Sequence, residues 1–456
     1  MNDSRKPTGT SRSVRHRSAI ATLLLLCAAL ASFQAGAVPS FSRQTGIACS
    51  GCHVGGFGPQ LTSLGRQFKL DGYTMGSGDN VPLSVMDVES FTRTRKDQPE
   101  NAGPYDGTNN NGSLQQLSLF VAGRLAEHLG TFTQVTYSDI DRHVAMDNMD
   151  VRYARPVTWG KHSGTFGISV NNNPGAQDVW NTSPAWRFPF MASGLAPGPA
   201  AATLLEGGLG QQVIGATAYA FLDSKYYGEL GFYRTLPSSL LRSLNVDDGG
   251  SLSGLTPYYR FAYTMDGKGQ TLTLDLTGLD ARLHPDRLPG PSDHYRDIGL
   301  DASYQYLGGS HYVIAIDADA IHETQRRTAT FLAGDAAQAN GHVDTFNLNA
   351  SYYYDAHDGV TLGYFDSRGD RDAVLFGPNP GDGSRTGKPD GSGVVMQADW
   401  TPFGQSDSWH SPWINLRLGI QYTAYSKFNG ASHDYDGFGR NARDNDTLFV
   451  FLWNAF

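Results

Sequence analysis

The chain has little cysteine, no excess of positive charge and, beyond residue 37, no apolar run of helix length. Only three of its 456 residues are cysteines, so Cys49 and Cys52 have no second cysteine pair with which to complete a zinc site. The formal net charge of −9 argues against nucleic acid as a partner and favours cationic ligands. The missing apolar run excludes a membrane protein built from helices.

The N-terminal segment predicts export from the cytoplasm. Basic residues precede a short apolar run at Ala19–Ala31, and Ala35–Ala37 supplies an A-x-A cleavage site. The apolar run is too short to span a bilayer comfortably, which disfavours a membrane anchor. We therefore predict a signal peptide over residues 1–37, whose removal takes Cys27 with it and leaves a more acidic mature chain.

The two remaining cysteines stand in Cys49-Ser50-Gly51-Cys52-His53, the C-x-x-C-H attachment sequence of a c-type haem. This spacing lets both thiols form thioethers at the porphyrin edge while His53 reaches the iron as an axial ligand. A redox-active cysteine pair, half of a zinc site and coincidence are the other interpretations. Because a thioredoxin-like βαβ setting and a second ligand pair are both missing, we expect one covalent haem c bound by Cys49, Cys52 and His53.

From about residue 83 onward, short segments of alternating polarity predict β-strands. Leu272, Leu274 and Leu276 share one face of such a segment, and polar residues alternate with them on the other. A soluble β-protein gives the same local pattern, so alternation alone does not establish a membrane barrel. We count about 16 strands, near residues 84–95, 115–126, 131–138, 147–157, 162–171, 209–222, 225–234, 255–264, 269–279, 295–306, 310–321, 343–354, 359–367, 393–402, 412–424 and 446–456.

The lengths of the connections favour an outer-membrane barrel over a soluble β-protein. Short connections near Leu129-Gly130 and Gly308-Gly309 alternate with long ones such as 172–208. Short periplasmic turns and long extracellular loops are typical of outer-membrane barrels, and an even strand number leaves both termini in the periplasm. The predicted fold class is therefore all-β, an antiparallel barrel of about 16 strands over residues 83–456 that ends on Phe456.

Residues 38–82 remain for the haem, and a segment of this length rarely builds a core of its own. We expect it to wrap one haem and to lie as a plug in the lumen, which is wide enough in a barrel of this size. A short helix at Gln60–Leu70 would turn Leu61, Leu64 and Phe68 towards the haem or the barrel wall.

Two features of haem binding stay open in the sequence. Arg43, Arg66 and Lys69 could pair with the haem propionates, or they could equally be exposed or lumen-facing cations. Met75 is the nearest downstream candidate for the second axial ligand and Met86 is the next, although an ordinary core methionine is the commoner role. A histidine from the barrel wall and an open coordination position are the alternatives.

Two blocks beside the haem motif resemble outer-membrane monohaem cytochrome–porin fusions, which are best known from iron(II)-oxidising bacteria. These blocks are Phe41–Gly46 and Gly65–Tyr73. The resemblance implies an N-terminal haem plug inside a barrel of about 16 strands, and electron transfer from an extracellular donor to a periplasmic carrier. It also implies Cys49, Cys52 and His53 as the haem-binding positions, and it does not settle the donor.

We therefore predict an electron conduit across the outer membrane, in contact with its lipid. Fe(II) is the leading donor, and a periplasmic cytochrome or a similar carrier is the acceptor. A solute porin with a structural or regulatory haem is the main alternative. A haem peroxidase is a more remote one, because no distal histidine or arginine signature can be placed in the sequence.

Two loop features bear on this prediction. The aromatic loop Pro174–Pro199 either folds inward over the haem or forms a plain constriction or lip. Acidic loop residues such as Asp372 and Asp446 suit a weakly held ferrous ion, although acidic outer loops are ordinary in such barrels.

Overall fold

The computed structural model describes residues 39–76, 82–309, 311–408, 411 and 413–456. The predicted signal peptide over residues 1–37 lies outside these described residues. None of the helices that the structure describes is long and apolar enough to cross a membrane. The helices are α1 Pro39–Thr45, α2 Cys49–Cys52, α3 Ser63–Leu70, α4 Ser238–Ser243 and α5 Thr328–Ala333, with short 3-10 turns at Val54–Gly56, Leu204–Glu206 and Ala442–Asn445.

Sixteen long antiparallel strands form one closed barrel within the described residues, and a two-residue strand, β8, is added beside β10. The barrel closes because β1 pairs with β2 on one side and with β17 on the other. The strands are β1 Leu83–Thr94, β2 Asn111–Ala126, β3 Leu129–Ser138, β4 His143–Trp159, β5 His162–Asn171, β6 Val213–Leu222, β7 Tyr226–Thr235, β8 Ser251–Leu252, β9 Thr256–Gly267, β10 Gln270–His284, β11 Asp293–Tyr306, β12 Tyr312–Arg326, β13 Asn340–Tyr354, β14 Asp358–Gly369, β15 Gly391–Trp400, β16 Asn415–Lys427 and β17 Thr447–Ala455. The predicted all-β barrel of about 16 strands is confirmed.

The strands turn apolar side chains outward and polar side chains into the lumen. On β10, the Leu274 side chain is 49% exposed, whereas Thr273 and Asp275 on either side of it are buried. β-Strands place successive side chains on opposite faces, so an alternating sequence gives the closed sheet an apolar exterior. The exterior therefore matches lipid, and the interior offers hydrogen-bonding groups to whatever fills the lumen.

Connections of different length lie at the two ends of the barrel. At the end that holds both described termini, short turns join hairpins such as β4–β5 and β6–β7. The segment 401–414 between β15 and β16 is the long exception there. Most loops at the opposite end are longer, and 172–212 is the largest of them. In outer-membrane barrels the short turns are periplasmic, so this arrangement places the described termini on the periplasmic side.

The last strand turns its aromatic side chains inward. Phe449, Phe451 and Trp453 are buried in one apolar cluster with plug residue Phe57. The outward face carries smaller apolar residues and Asn454, whose amide donates to Asp87 on β1 at 2.8 Å. The polar residue in the lipid-facing row is therefore partnered across the seam that closes the barrel.

The plug helix is shorter than the sequence predicts. Helix α3 begins at Ser63 rather than Gln60, because the Thr62 hydroxyl accepts the Gly65 amide as an N-cap. Leu61 and Phe68 are buried as expected, but Leu64 is 39% exposed, so the predicted three-residue apolar face was wrong at Leu64.

Candidate functional site

The haem motif occupies one helical turn, α2, after which His53 adopts an extended conformation. His53 pairs with Leu61 in an isolated antiparallel bridge. The Thr62 amide then donates to the Cys52 carbonyl at 2.9 Å. These contacts close residues 53–62 into a loop that fixes the backbone of His53 relative to Cys52.

Barrel side chains hold this loop by its backbone carbonyls. Arg417 on β16 donates to the carbonyl of Phe57 at 2.6 Å and to that of Gly55 at 3.3 Å. Asn415 on the same strand donates to the Gly56 carbonyl at 2.7 Å. Arg417 and Asn415 are both fully buried, so β16 supplies a rigid support directly beneath the haem motif.

Other inward-facing residues hold the rest of the plug in the same way. Arg152 on β4 donates to the Lys69 carbonyl at 3.0 Å. Gln305 on β11 donates to the Leu61 carbonyl at 2.8 Å. Unpaired buried carbonyls are costly, so these donors compensate for the short helices of the plug, which leave many carbonyls unpaired.

A cavity of about 380 Å³ lies between the plug and the large loop 172–212. This volume falls within the range of about 300–1,000 Å³ that is usual for ligand and cofactor pockets. The cavity has three walls, formed by the haem motif and neighbouring plug residues, by strands including β1 and β17, and by the inward-folded loop. The lining residues include Cys49, Cys52, His53, Lys69, Met86, Trp186, Arg187 and Met191.

Burial keeps the motif side chains uncharged at neutral pH. It raises the pKa of both the Cys49 and the Cys52 thiol to about 11. Burial also lowers the pKa of His53 to about 4, opposed by the Gly58 backbone and assisted by the charge of Arg417. Reactive C-x-x-C pairs have lowered thiol pKa values instead, so this environment is unlike that of a redox-active pair.

Of the three cations for which a role as propionate partner stayed open in the sequence, Lys69 lines the cavity and Arg43 and Arg66 do not. Arg43 donates to the Leu83 carbonyl on the barrel. Arg66 is buried and donates to Gln305 on the wall. Arg187 is a second cation on the cavity, contributed by the large loop, and the sequence interpretation missed it.

Lys69 lies in a site built by the large loop. Its ammonium group donates to the Ala176 carbonyl and to the Asn181 side chain, both at 2.9 Å, and lies 4.9 Å from the centre of the Trp186 ring. Burial is the main reason that the pKa of Lys69 falls to about 7, and the nearby charge of Arg152 adds to it. Plug and loop are thus joined directly at the edge of the cavity.

The predicted second ligand, Met75, is not among the residues that line the cavity. Its backbone carbonyl accepts a hydrogen bond from Gln44 at 2.8 Å, in the segment that leads to the barrel. Met86 and Met191 line the cavity instead, and both are buried. Among the described residues that line it, His53 is the only histidine, which leaves the alternative of a barrel-wall histidine without support.

A buried arginine holds the large loop inside the lumen. Arg260 on β9 pairs with Asp178 of the loop at 2.8 Å, with Asp301 on β11 at 3.0 Å and with Asp275 on β10. The loop therefore folds inward, and Trp186 is one of its aromatic residues that line the cavity.

The acidic loop residues serve the loops themselves. Asp372 accepts the amides of Ala337 and Gln338, both at 2.9 Å, and Asp446 accepts the amide of Tyr425 at 2.8 Å. Over the described residues, no group of three or more His, Cys, Asp or Glu side chains could hold a metal ion. The predicted contribution of Asp372 and Asp446 to a ferrous site therefore has no geometric support, because backbone amides occupy their carboxylates.

Sixteen long strands, an apolar exterior and short turns at the terminal end define a porin-type outer-membrane β-barrel. No protein-family model and no curated protein matches the chain.

Solved structures similar to this chain include an anion-selective porin from Comamonas acidovorans, at 12% identity and a TM-score of 0.43, covering 82% of this chain and 97% of that one. OmpT of Vibrio cholerae lacking loop L8 is similar at 8% identity and a TM-score of 0.43, and the match covers 83% of this chain and 99% of that one. The outer-membrane channel DcaP of Acinetobacter baumannii is similar at 10% identity and a TM-score of 0.42, and the match covers 84% of this chain and 99% of that one. At these values the similarities carry no conclusion about function, and the assignment of the fold rests on the barrel itself.

Proposed function

We propose that the protein is a c-type cytochrome of the outer membrane that passes electrons from an extracellular donor to a periplasmic carrier. The single observation that carries this proposal is that Cys49, Cys52 and His53 line one cavity of about 380 Å³ inside the barrel. A haem c needs two thiols and an imidazole on one wall of a pocket of that kind. The resemblance of the N-terminal blocks to cytochrome–porin fusions points in the same direction.

The residues at the cavity fit the parts of a haem. Cys49 and Cys52 would bind it covalently, and His53 would be an axial ligand. Of the two lining cations, Arg187 already pairs with Asp319 at 2.8 Å and with Glu206, so Lys69 is the cation that would face its carboxylates. When bound, the haem supplies one-electron chemistry, and the chain contributes its position, its ligands and the exclusion of water.

Fe(II) is the first donor to test, as an extracellular substrate rather than a resident metal. The described loops hold no ready group of metal ligands, so the electron would be delivered by a transient encounter at the outer face. The acidic net charge of −9 favours the approach of a cation to the protein as a whole.

A solute channel is the second candidate function, and the barrel architecture by itself favours it. Barrels of 16 to 18 strands are typically porins with an aqueous channel. In this protein the described part of the lumen contains the plug and the large loop, and Arg260 and Arg417 hold them in place. The first candidate predicts that these segments block ion flow, and the second predicts a water path past them.

The proposal is tested by haem retention. The mature protein is expected to keep its haem through denaturing gel electrophoresis and acid–acetone extraction, because thioether bonds are covalent. The double variant Cys49→Ala/Cys52→Ala is expected to lose it, whereas Cys27→Ala, in the predicted signal peptide, is the matched control. Full retention in the double variant would disprove covalent attachment at this motif. Stopped-flow mixing of the detergent-solubilised protein with Fe(II) then tests the donor.

A further inference from the structure

We propose that Met191, on the inward-folded loop, is the second axial ligand that faces His53 across the cavity. This inference rests on the proposed function, because it presupposes a haem bound at Cys49, Cys52 and His53. It replaces Met75, the candidate nearest to the motif in the sequence, with a residue that a distant loop brings to the site.

Most other lining side chains that could bind iron are already engaged. The Lys69 ammonium group donates two hydrogen bonds to the large loop. The Tyr73 hydroxyl donates to Asp150 at 2.6 Å. The carboxylate of Asp147 accepts from the Thr136 hydroxyl at 3.0 Å. The thioethers of the two lining methionines remain, and methionine is an established partner of histidine in c-type cytochromes.

The position of each methionine along the barrel distinguishes between them. Axial ligands approach the iron from opposite faces of the porphyrin, so the second ligand must lie across the cavity from His53. The plug side of the cavity is marked by Asn415 and Arg417, which hold residues 55–57 directly after His53.

Met191 is held further along the same strand, away from the terminal end. Gln421 on β16 donates to the Met191 carbonyl at 3.0 Å. Gln421 lies four residues beyond Arg417, which corresponds to about 13 Å along a β-strand. The backbones next to His53 and at Met191 are therefore anchored to one strand at two different positions, and both residues line the cavity.

Met86 lies on the plug side instead. It is opposite Ala455 on β17, and Ala455 is opposite Asn415 on β16. Met86 is thus in register with Asn415, the asparagine that holds the Gly56 carbonyl, and is six residues along the strand direction from the register of Gln421. A side chain in the register that holds the plug would pack against the edge of a haem, whereas the second ligand has to come from the side opposite His53.

The test compares Met191→Leu with Met86→Leu and Met75→Leu in the full-length protein. Leucine keeps the apolar volume, and heat-modifiable migration on gels confirms that each barrel is folded. Met191→Leu is expected to lose the weak far-red charge-transfer band of a ferric haem ligated by methionine and to bind exogenous imidazole. Met75→Leu is expected to keep the parent spectrum, and Met86→Leu is expected to keep the far-red band. Met191→His should restore a six-coordinate spectrum at a lower potential.

Loss of the band in Met86→Leu or Met75→Leu, or an unchanged spectrum in Met191→Leu, would overturn the assignment. In those cases covalent haem is still present, so the proposed function survives. Absence of covalent haem from the parent protein would overturn the proposed function and the assignment together. Haem staining of every variant distinguishes these outcomes.

Discussion

Gly65 lies at a close approach between helix α3 and the haem motif. A Cβ atom added there would lie 2.2 Å from the Cys52 carbonyl oxygen and 3.1 Å from the Leu61 side chain. Helix α3 can therefore lie against the haem motif only because residue 65 has no side chain. This contact links the conformation of one glycine to the position of both the thiols and the imidazole.

We predict that Gly65→Ala lowers the haem content of the folded barrel severalfold, because helix α3 must move away from Cys52. Haem per protein in the outer-membrane fraction measures this effect. Gly46→Ala is the matched control, since Gly46 has a φ of +70° but nothing within 4 Å of an added Cβ. Its left-handed backbone costs about 1–2 kcal/mol without displacing the motif. Equal haem content in the two variants would contradict the importance of the close approach.

The chemistry of individual site residues was partly predictable from the sequence. The C-x-x-C-H spacing is local, so the sequence alone could propose Cys49, Cys52 and His53 as a haem site, and the structure brings all three to one cavity. The presence of Arg187 and Met191 at this cavity could not be predicted, because only the path of the large loop brings them there. Distance along the chain favoured Met75, and distance along the chain is a poor guide when a loop returns through the lumen.

The strands were the most predictable elements. Each carries a period-two pattern long enough to be read without structural information, and the chain boundaries of all 16 differ from the prediction by a few residues. The course of loop 172–212 was not predictable, because partners on distant strands, such as Arg260 and Gln421, determine it. The alternating pattern of β16 correctly placed Arg417 on the polar face. It could not identify the plug carbonyls that Arg417 contacts.

The outward face of β10 gives a test of the lipid-facing surface. We predict that Leu274→Arg lowers the free energy of unfolding by about 2–4 kcal/mol if residue 274 is near the bilayer midplane, because a charge then enters hydrocarbon. Denaturant titration in lipid vesicles measures the change. Leu288→Arg, at an exposed position between β10 and β11, is the control and should have little effect. Equal effects for both variants would mean that residue 274 does not face lipid.

Arg260, which holds loop 172–212 inside the lumen, gives a second test at the level of elements. We predict that Arg260→Met frees loop 172–212, because Asp178, Asp275 and Asp301 lose a buried partner at a cost of about 3–5 kcal/mol. Single-channel recording in planar bilayers should then show a higher ion conductance than the parent protein. Arg234→Met, an exposed arginine on β7, is the control. Unchanged conductance in Arg260→Met would show that this arginine does not keep the lumen closed.

At the scale of the whole molecule, the barrel and its contents form one packed unit. The apolar cluster that contains Phe57 of the plug also contains Met191 of the large loop and Trp453 of the last strand. Plug, loop and wall therefore share a core, and the cavity lies where all three meet. The proposed function needs such a packed arrangement, whereas a solute channel needs a water path past the plug and the loop.

The most direct test of this account is electron transfer across a sealed membrane. Proteoliposomes carrying the protein, with a periplasmic-type cytochrome enclosed, are mixed with external Fe(II), and reduction of the enclosed cytochrome is followed by absorbance. The account predicts reduction that depends on the protein and disappears in Cys49→Ala/Cys52→Ala, with little leakage of small ions. Free passage of small ions without reduction of the enclosed cytochrome would contradict the electron conduit and establish the solute channel.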